Sequence, residues 1–331
     1  MRFLITAFLL LVPTCCVAQG IPREAWSVET SRSPGVRYLF GLETDVIGKD
    51  DAVRWQAADG LVSAPILTNP RRSLFLTGSF RYIGLDNQRN TLPPRLIDTS
   101  IGAFGNFGVG DLSIVTFFNV SMKSDADAFV WDAFTINASV GVRVPIDDEW
   151  SVTPSIFFST AVRDSGGFSF RYIPLPGVNF AWKPSDKFDL EFGLLSAKFK
   201  WKPEDWLTLQ AGYTFPYGGS VRVSEQPVSW FRVTQFFGRY SDRYILTGER
   251  WPDDHLIKLE SFAVGVTHEF FVPLTGEPGG AQLAFGLTYA LGLGGKARVW
   301  NYVEDDELFE LKTNPAHTFA LSISLVFGRG G

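Results

Sequence analysis

Few residues in this chain are suited to acid-base or nucleophilic chemistry. There are three histidines, His255, His268 and His317, and the two cysteines, Cys15 and Cys16, both fall in the N-terminal segment. His255 stands in "WPDDHLIKLE", directly after Asp253 and Asp254, and a histidine beside carboxylates can draw a proton from water as a general base. A barrel hydrolase built on His255 needs further acids, and Asp125, Asp127, Asp305 and Asp306 are the candidates to meet it across a closed fold. Nothing in their spacing brings them together, so solvated acidic loops are the plainer reading. No serine sits at a suggestive spacing from His255 for nucleophilic catalysis. His268 and His317 lie near the ends of alternating segments, on the apolar parity, as interfacial histidines.

Other acidic groups recur at Asp50-Asp51, Asp147-Asp148-Glu149 and Glu304 to Glu307. Such oxygens can bind Ca²⁺ or Mg²⁺, but no EF-hand spacing accompanies them, and no metal site is expected. The glycine-rich Leu291–Gly295 lacks the strand-turn-helix setting of a nucleotide loop, and no cofactor is implied. The polar residues that share a placement are Arg81, Arg143, Arg171, Asp189, Glu191 and Gln210. They sit on the less apolar side of alternating segments, where opposed charges would tune the passage of polar solutes or satisfy one another and fill the space.

Strands must position them, because the dominant pattern is period two. Phe134, Ile136, Ala138, Val140, Val142 and Val144 alternate with Thr135, Asn137, Ser139, Gly141 and Arg143. Phe188, Leu190 and Phe192 alternate with Asp189, Glu191 and Gly193, and the final segment sets Phe319, Leu321, Ile323, Leu325 and Phe327 against Thr318, Ala320, Ser322 and Ser324. These runs reach about 11 to 15 residues, against about 5 or 6 for ordinary strands, and a tilted strand needs roughly 9 to 11 to cross the hydrocarbon layer. An arginine on the lipid side would cost on the order of 2 to 4 kcal/mol at mid-bilayer, and the apolar parity carries none. Trp131, Trp150, Trp182, Trp201, Trp206 and Tyr213 cluster at strand ends, where a membrane interface favours amphipathic rings.

The pattern predicts an all-β, transmembrane, antiparallel up-and-down barrel. Counting from Ser73 gives twelve strands with core strands over about 73–328, and residues 36–47 and 53–67 add a hairpin to make fourteen. Connections alternate in length, with long ones at 85–95, 123–130, 234–255 and 294–314, and short ones at 107–110, 145–148, 183–187 and 216–219. "WKPSDKFDLEFG" from Trp182 recurs as "WKPEDWLTLQAG" from Trp201. Each copy opens a proline turn, and an interval equal to one crossing plus its turn places the two at opposite rims.

Residues 1–18 read as a cleaved secretory signal peptide, with an apolar Phe3–Val12 and small residues Cys16 and Ala18 before the cut. Residues 19–35 form an N-terminal segment, and 36–331 a single barrel domain. Of the 30 Lys and Arg one lies in the leader, and of the 35 Asp and Glu none does, leaving a net charge of −6 and no thiol. That excludes thiolate and disulfide chemistry and argues against a nucleic-acid partner.

The leader, the amphipathic strands and the closing "HTFALSISLVF" together resemble bacterial outer-membrane β-barrel proteins. The resemblance implies location in the outer membrane, lipid as a partner, and Phe319, Leu321, Ile323, Leu325 and Phe327 as the signal read by the barrel-assembly machinery. Here Phe327 is followed by "GRGG" instead of ending the chain. The middle section, Leu175 to Tyr213, looks like a branch of these barrels known only as a domain of unknown function, from which no catalytic residue carries over. The function expected is a pore for small polar solutes, with a surface-interaction barrel whose loops bind a partner as the alternative. The oligomeric state is left open.

Overall fold

The computed structural model describes residues 34–327, apart from short stretches at 50, 70, 88–90, 126, 128–129, 161–171, 194–195, 215–217, 248–250, 252–254, 276–279 and 302–305. The leader, most of the N-terminal segment and Arg171 lie outside the described residues. The first five strands are β1 (Gly35–Asp45), β2 (Ala52–Asn69), β3 (Arg72–Asn87), β4 (Arg95–Val109) and β5 (Leu112–Ser124). A 3-10 turn at Trp131–Ala133 precedes β6 (Phe134–Pro145), β7 (Trp150–Ser159), β8 (Leu175–Ser185) and β9 (Phe188–Gly193). Then come β10 (Ser196–Glu204), β11 (Leu207–Thr214), β12 (Gly218–Val228), β13 (Phe231–Leu246) and β14 (His255–Pro273). The chain ends with β15 (Ala281–Gly292), the hairpin β16 (Lys296–Asn301) and β17 (Asp306–Lys312), and β18 (Ala316–Phe327).

Consecutive strands pair antiparallel from β1 to β15, β15 pairs with β18, and β18 pairs with β1, so sixteen strands close a barrel with no free edge. Closure satisfies every wall hydrogen bond internally, which a strand in hydrocarbon requires. The number exceeds the twelve to fourteen expected. The N-terminal hairpin β1–β2 is present, and two further reversals divide segments that read as continuous. β9 turns into β10 between Gly193 and Ser196, and β12 turns into β13 at Ser229-Trp230. Leu194-Leu195 carries no turn chemistry and Ser229-Trp230 only the serine, so the apolar alternation ran through both. Residues 234–246, expected in a long loop, instead extend β13.

These two reversals also change the rims. The turns at 186–187 and 205–206 are separated by β9 and β10, so both copies of the Trp-Lys-Pro repeat lie at the same rim, contrary to the opposite rims expected. The nineteen-residue interval is a whole hairpin of two short strands, 6 and 9 residues. That rim also carries the connections at 110–111, 146–149 and 229–230 and both ends of the sheet. The opposite rim carries 88–94, 125–133, 160–174 and the β16–β17 hairpin.

The outer face is apolar and exposed: Val36, Tyr38 and Phe40 on β1, Ile101 on β4, Val140 on β6, Leu287 on β15, and Phe319, Leu321 and Ile323 on β18. Rings ladder across strand boundaries, as Phe40 with Phe319 at 5.5 Å and Phe180 with Phe192 at 5.4 Å. A continuous exposed apolar band on a closed barrel is the surface of a lipid-spanning wall. At its short-turn edge Trp150 stacks on Trp182 at 5.5 Å, and the Trp182 indole donates to Glu149 at 3.1 Å. Trp201 is exposed beside them and Trp206 occupies the next turn, while Trp131 and Tyr213 lie toward the other rim. His268 stacks on Phe231 at this edge, and His317 accepts or donates a 2.8 Å hydrogen bond with the Tyr289 hydroxyl near the far one.

The two faces differ enough to be tested by a single charge. Val140→Arg, on the outer face, should cost roughly 2 to 4 kcal/mol of folding free energy in bilayers, while Ser139→Arg on the neighbouring lumenal position should cost far less. Urea titration of the protein refolded into vesicles measures both, and equal costs would contradict the facing assigned here.

Candidate functional site

The interior is divided, and β13 divides it. β12 pairs with β13 only as far as Tyr240, after which β13 leaves the wall and meets β5 in a parallel bridge, Ile245 to Ser124. Asp125 fixes that junction. Its carboxylate, buried to 1% exposure, accepts from the Thr247 amide at 2.9 Å and from the Thr247 hydroxyl at 2.6 Å, and its own amide donates to the Ile245 carbonyl at 3.2 Å. β14 follows β13, and at this level pairs with β16 instead of β15; β17 then reaches the β1–β2 turn through the Val46 to Thr313 bridge. Above the lipid band, therefore, β1 to β5 with β13, β14, β16 and β17 close a second, smaller ring.

That ring is filled. Leu39, Val53, Trp55, Leu96, Tyr244, Leu246, Ile257, Val299 and Leu311 point into it and are nearly inaccessible. Each large side chain so buried contributes about 1.5 to 3 kcal/mol. Among the described residues, β5 to β12 contribute none of this core. Gly41 faces the Trp55 indole, and a Cβ there would lie 2.1 Å from its Nε1, so glycine makes the room the ring occupies.

Below the core a row of alternating charge crosses five adjacent strands at directly opposed positions: Arg37, Asp59, Arg81, Asp98 and Lys123. Arg37 donates to Asp59, and Arg81 grips Asp59 through Nε at 2.7 Å and Nη2 at 3.2 Å. Lys123 reaches Asp98 at 3.4 Å and also pairs with Asp242 on β13, carrying the row across to the dividing strand. The Tyr244 hydroxyl donates to Asp242 at 3.1 Å.

The other half of the lumen is polar and accessible. Arg143 on β6 and Glu191 on β9 approach to 3.9 Å although two strands separate theirs, which places both side chains inside the wall. Asp189 opposes Lys200, and Gln210, buried, stands between Lys200 and Arg222. Of the six lumenal candidates, then, Arg143, Asp189 and Glu191 line the accessible half, and Gln210 is buried between Lys200 and Arg222. Arg81 belongs to the buried row and Arg171 lies outside the described residues. Asp59, Asp98, Lys123 and Asp242 escaped the sequence reading, since only strand register shows that charges from 37 to 242 face one another.

Of the acids proposed to act with His255, Asp125 and Asp127 are engaged elsewhere among the described residues. His255 is buried at the start of β14, opposite Leu246 and Asn301. Asp125 is used in the β5–β13 junction, and Asp127 pairs with Arg95 at 2.8 Å. Asp253, Asp254 and Asp305 lie outside the described residues. Among the described residues no group of three or more His, Cys, Asp or Glu could hold a metal ion.

No family model matches this chain, and no curated protein matches it. Among solved structures, an outer-membrane channel from Pseudomonas putida F1 is 10% identical over 95% of this chain and 99% of that one, with a TM-score of 0.36. The β domain of the Bordetella autotransporter BrkA is 10% identical over 88% and 98%, TM-score 0.29. OmpT, an outer-membrane protein of Vibrio cholerae, is 10% identical over 88% and 95%, TM-score 0.28. All three likenesses are remote, and what defines the class is the wall itself: a closed, lipid-facing β-barrel with a partly filled lumen.

Two consequences can be measured. Removing Asp59 leaves Arg37 and Arg81 buried without their shared carboxylate, and Asp59→Ala should destabilise the barrel by roughly 3 to 5 kcal/mol, read as a lowered urea midpoint. On the extramembrane hairpin, hydrogen bonding from Lys312, at 2.7 Å, and from Arg298 holds the Glu310 carboxyl below its usual 4.5. A lowered carboxyl stabilises fully above the unfolded value and loses that contribution as pH falls through the folded one. Hydrogen-exchange protection factors of the β16 and β17 amides should therefore fall as pH drops below about 4.5, and Glu310→Gln should flatten that dependence.

Proposed function

We propose that this chain is a bacterial outer-membrane barrel that passes small polar solutes through the half of its lumen bounded by β5 to β12. The observation that carries the reading is the asymmetry of the interior. One half is closed by an apolar core and a buried charge row, and the other keeps Arg143, Glu191, Asp189 and Lys200 accessible between them. Mixed charges of both signs in a hydrated passage admit polar solutes without strong selection for one ionic sign. The longest connections, 88–94, 125–133 and 160–174, all leave from one rim, as in outer-membrane barrels, whose long loops face outward, although the short β9–β10 and β11–β12 junctions share that rim. On that orientation the filled ring lies at the cell surface and both termini of the sheet at the periplasmic side. The alternating last strand, Phe319 to Phe327, fits recognition by the barrel-assembly machinery, and residues 1–18 fit an export signal.

Reconstitution into planar bilayers tests the reading. Wild-type protein should give small, discrete conductance steps. Asp125→Ala frees β13 from β5 and should raise the unit conductance or add flicker; absence of any conductance above background in both proteins overturns the channel.

A further inference from the structure

A pocket of ≈ 280 Å³, lined by both polar and apolar groups, lies against the β5–β13 junction. We propose that it is a binding site for a neutral polyhydroxylated solute of single-sugar size, a reading that rests on the channel proposal and names its substrate class.

Three features of the lining lead there. First, one wall is a grid of short hydroxyl and amide side chains. Ser100, Ser121 and Thr135 form one row across β4, β5 and β6, and Asn119 and Asn137 form the next. Rows on one strand face are spaced about 7 Å apart, and neighbouring strands about 4.8 Å. The groups therefore offer donors and acceptors in two dimensions, as a ring bearing several hydroxyls requires. Asn137 is oriented by the Ser159 hydroxyl, which donates to its Oδ1 at 2.7 Å, and this turns the amide NH₂ away as a donor.

Second, the lining also includes apolar groups, the packed Ala133, Ile245 and Leu256 together with the Tyr244 ring. A sugar ring is polar at its edge and apolar on its C–H faces, and a pocket with groups of both kinds matches both. Sites for small ligands commonly combine a mainly apolar lining with a few placed polar groups. This one combines apolar surface with hydroxyl, amide and charged groups, which suits a solute with apolar C–H faces and many hydroxyls. At ≈ 280 Å³ it falls just below the usual range of roughly 300 to 1,000 Å³ for ligand pockets, so one ring fits and a chain of several does not.

Third, the ionic groups argue against a charged ligand. Asp98, Asp132 and Asp242 line the pocket with Lys123 and Arg243. An anion would meet three carboxylates against two cations. An amine would compete with Lys123, which already binds both Asp98 and Asp242. A neutral polyol disturbs neither, and the half-buried Asp132 carboxylate can accept from its hydroxyls in charge-assisted hydrogen bonds.

The test is calorimetric titration of the full-length protein in detergent micelles with D-glucose, D-mannose, D-galactose, gluconate and glucosamine. At least one neutral hexose should bind saturably, with gluconate and glucosamine at least tenfold weaker. The Asn119→Leu/Asn137→Leu double variant should lose hexose binding tenfold or more while keeping the gel shift between unheated and boiled samples that reports a folded barrel. If that variant loses the shift, Asn119→Asp/Asn137→Asp, which keeps the shape of the site, replaces it and should weaken hexose binding at least tenfold by removing the amide donors. Equal or tighter binding of gluconate or glucosamine, unchanged binding by the variant, or no saturable binding of any hexose overturns the proposal. Conductance without hexose binding sinks only the pocket, whereas hexose binding without conductance sinks only the channel.

Discussion

The rest of the architecture depends on β13 changing partners. A strand in a closed barrel ordinarily keeps the same two neighbours along its length, because each unpaired backbone group in hydrocarbon costs several kcal/mol. β13 obeys this while it runs beside β12, and departs only after Tyr240, toward the long-loop rim, where water or protein can replace the lost partner. Its backbone is then received by β5 at Ser124, with Asp125 and Thr247 fixing the junction through side-chain and main-chain hydrogen bonds. From that crossing follow the second ring, its apolar core, and the separation of a filled half from an accessible half.

The charge row is the electrostatic counterpart of the crossing. Arg37, Asp59 and Arg81 are all below 8% exposed, an arrangement that stands only because each charge meets one of opposite sign on the next strand. Desolvating ions is expensive, and burial of this kind adds less to stability than it removes when one partner is lost. Its structural effect is specificity: slipping one strand by a single residue would send that strand's charge to the lipid face and leave its partners unpaired. Lys123 extends the row to Asp242 and so ties the register of β1 to β5 to the position of β13. The β16–β17 hairpin completes the ring on the other side, standing where β15 and β18 are too short to reach.

Several features were legible without coordinates, and particular residues show why. The alternation of Phe319, Leu321 and Ile323 with small polar residues needs no partner to be read, since side-chain parity is a local property of an extended chain. The same holds for tryptophans at strand ends, and for Arg143, Asp189 and Glu191 on the lumenal parity. The strand count was harder to read, because β9 gives way to β10 and β12 to β13 where the sequence carries little turn chemistry, and pairing by the neighbouring strands imposes those reversals. The interval between the Trp-Lys-Pro copies was ambiguous for the same reason, as nineteen residues suit one long crossing or two short ones.

The sequence by itself determined that the chain is built of amphipathic strands, their inward and outward faces and the lipid-facing character of the wall, because each follows from the period of hydrophobicity along a strand. Only the tertiary structure decided that half of the lumen is filled, that Arg81 is buried in a charge row while Arg143 is not, and that Asp125 holds β13 against β5. These depend on contacts between residues more than a hundred positions apart, such as Asp125 with Thr247 and Lys123 with Asp242. No local pattern encodes such contacts; they arise when register and closure fix which side chains share the same small volume.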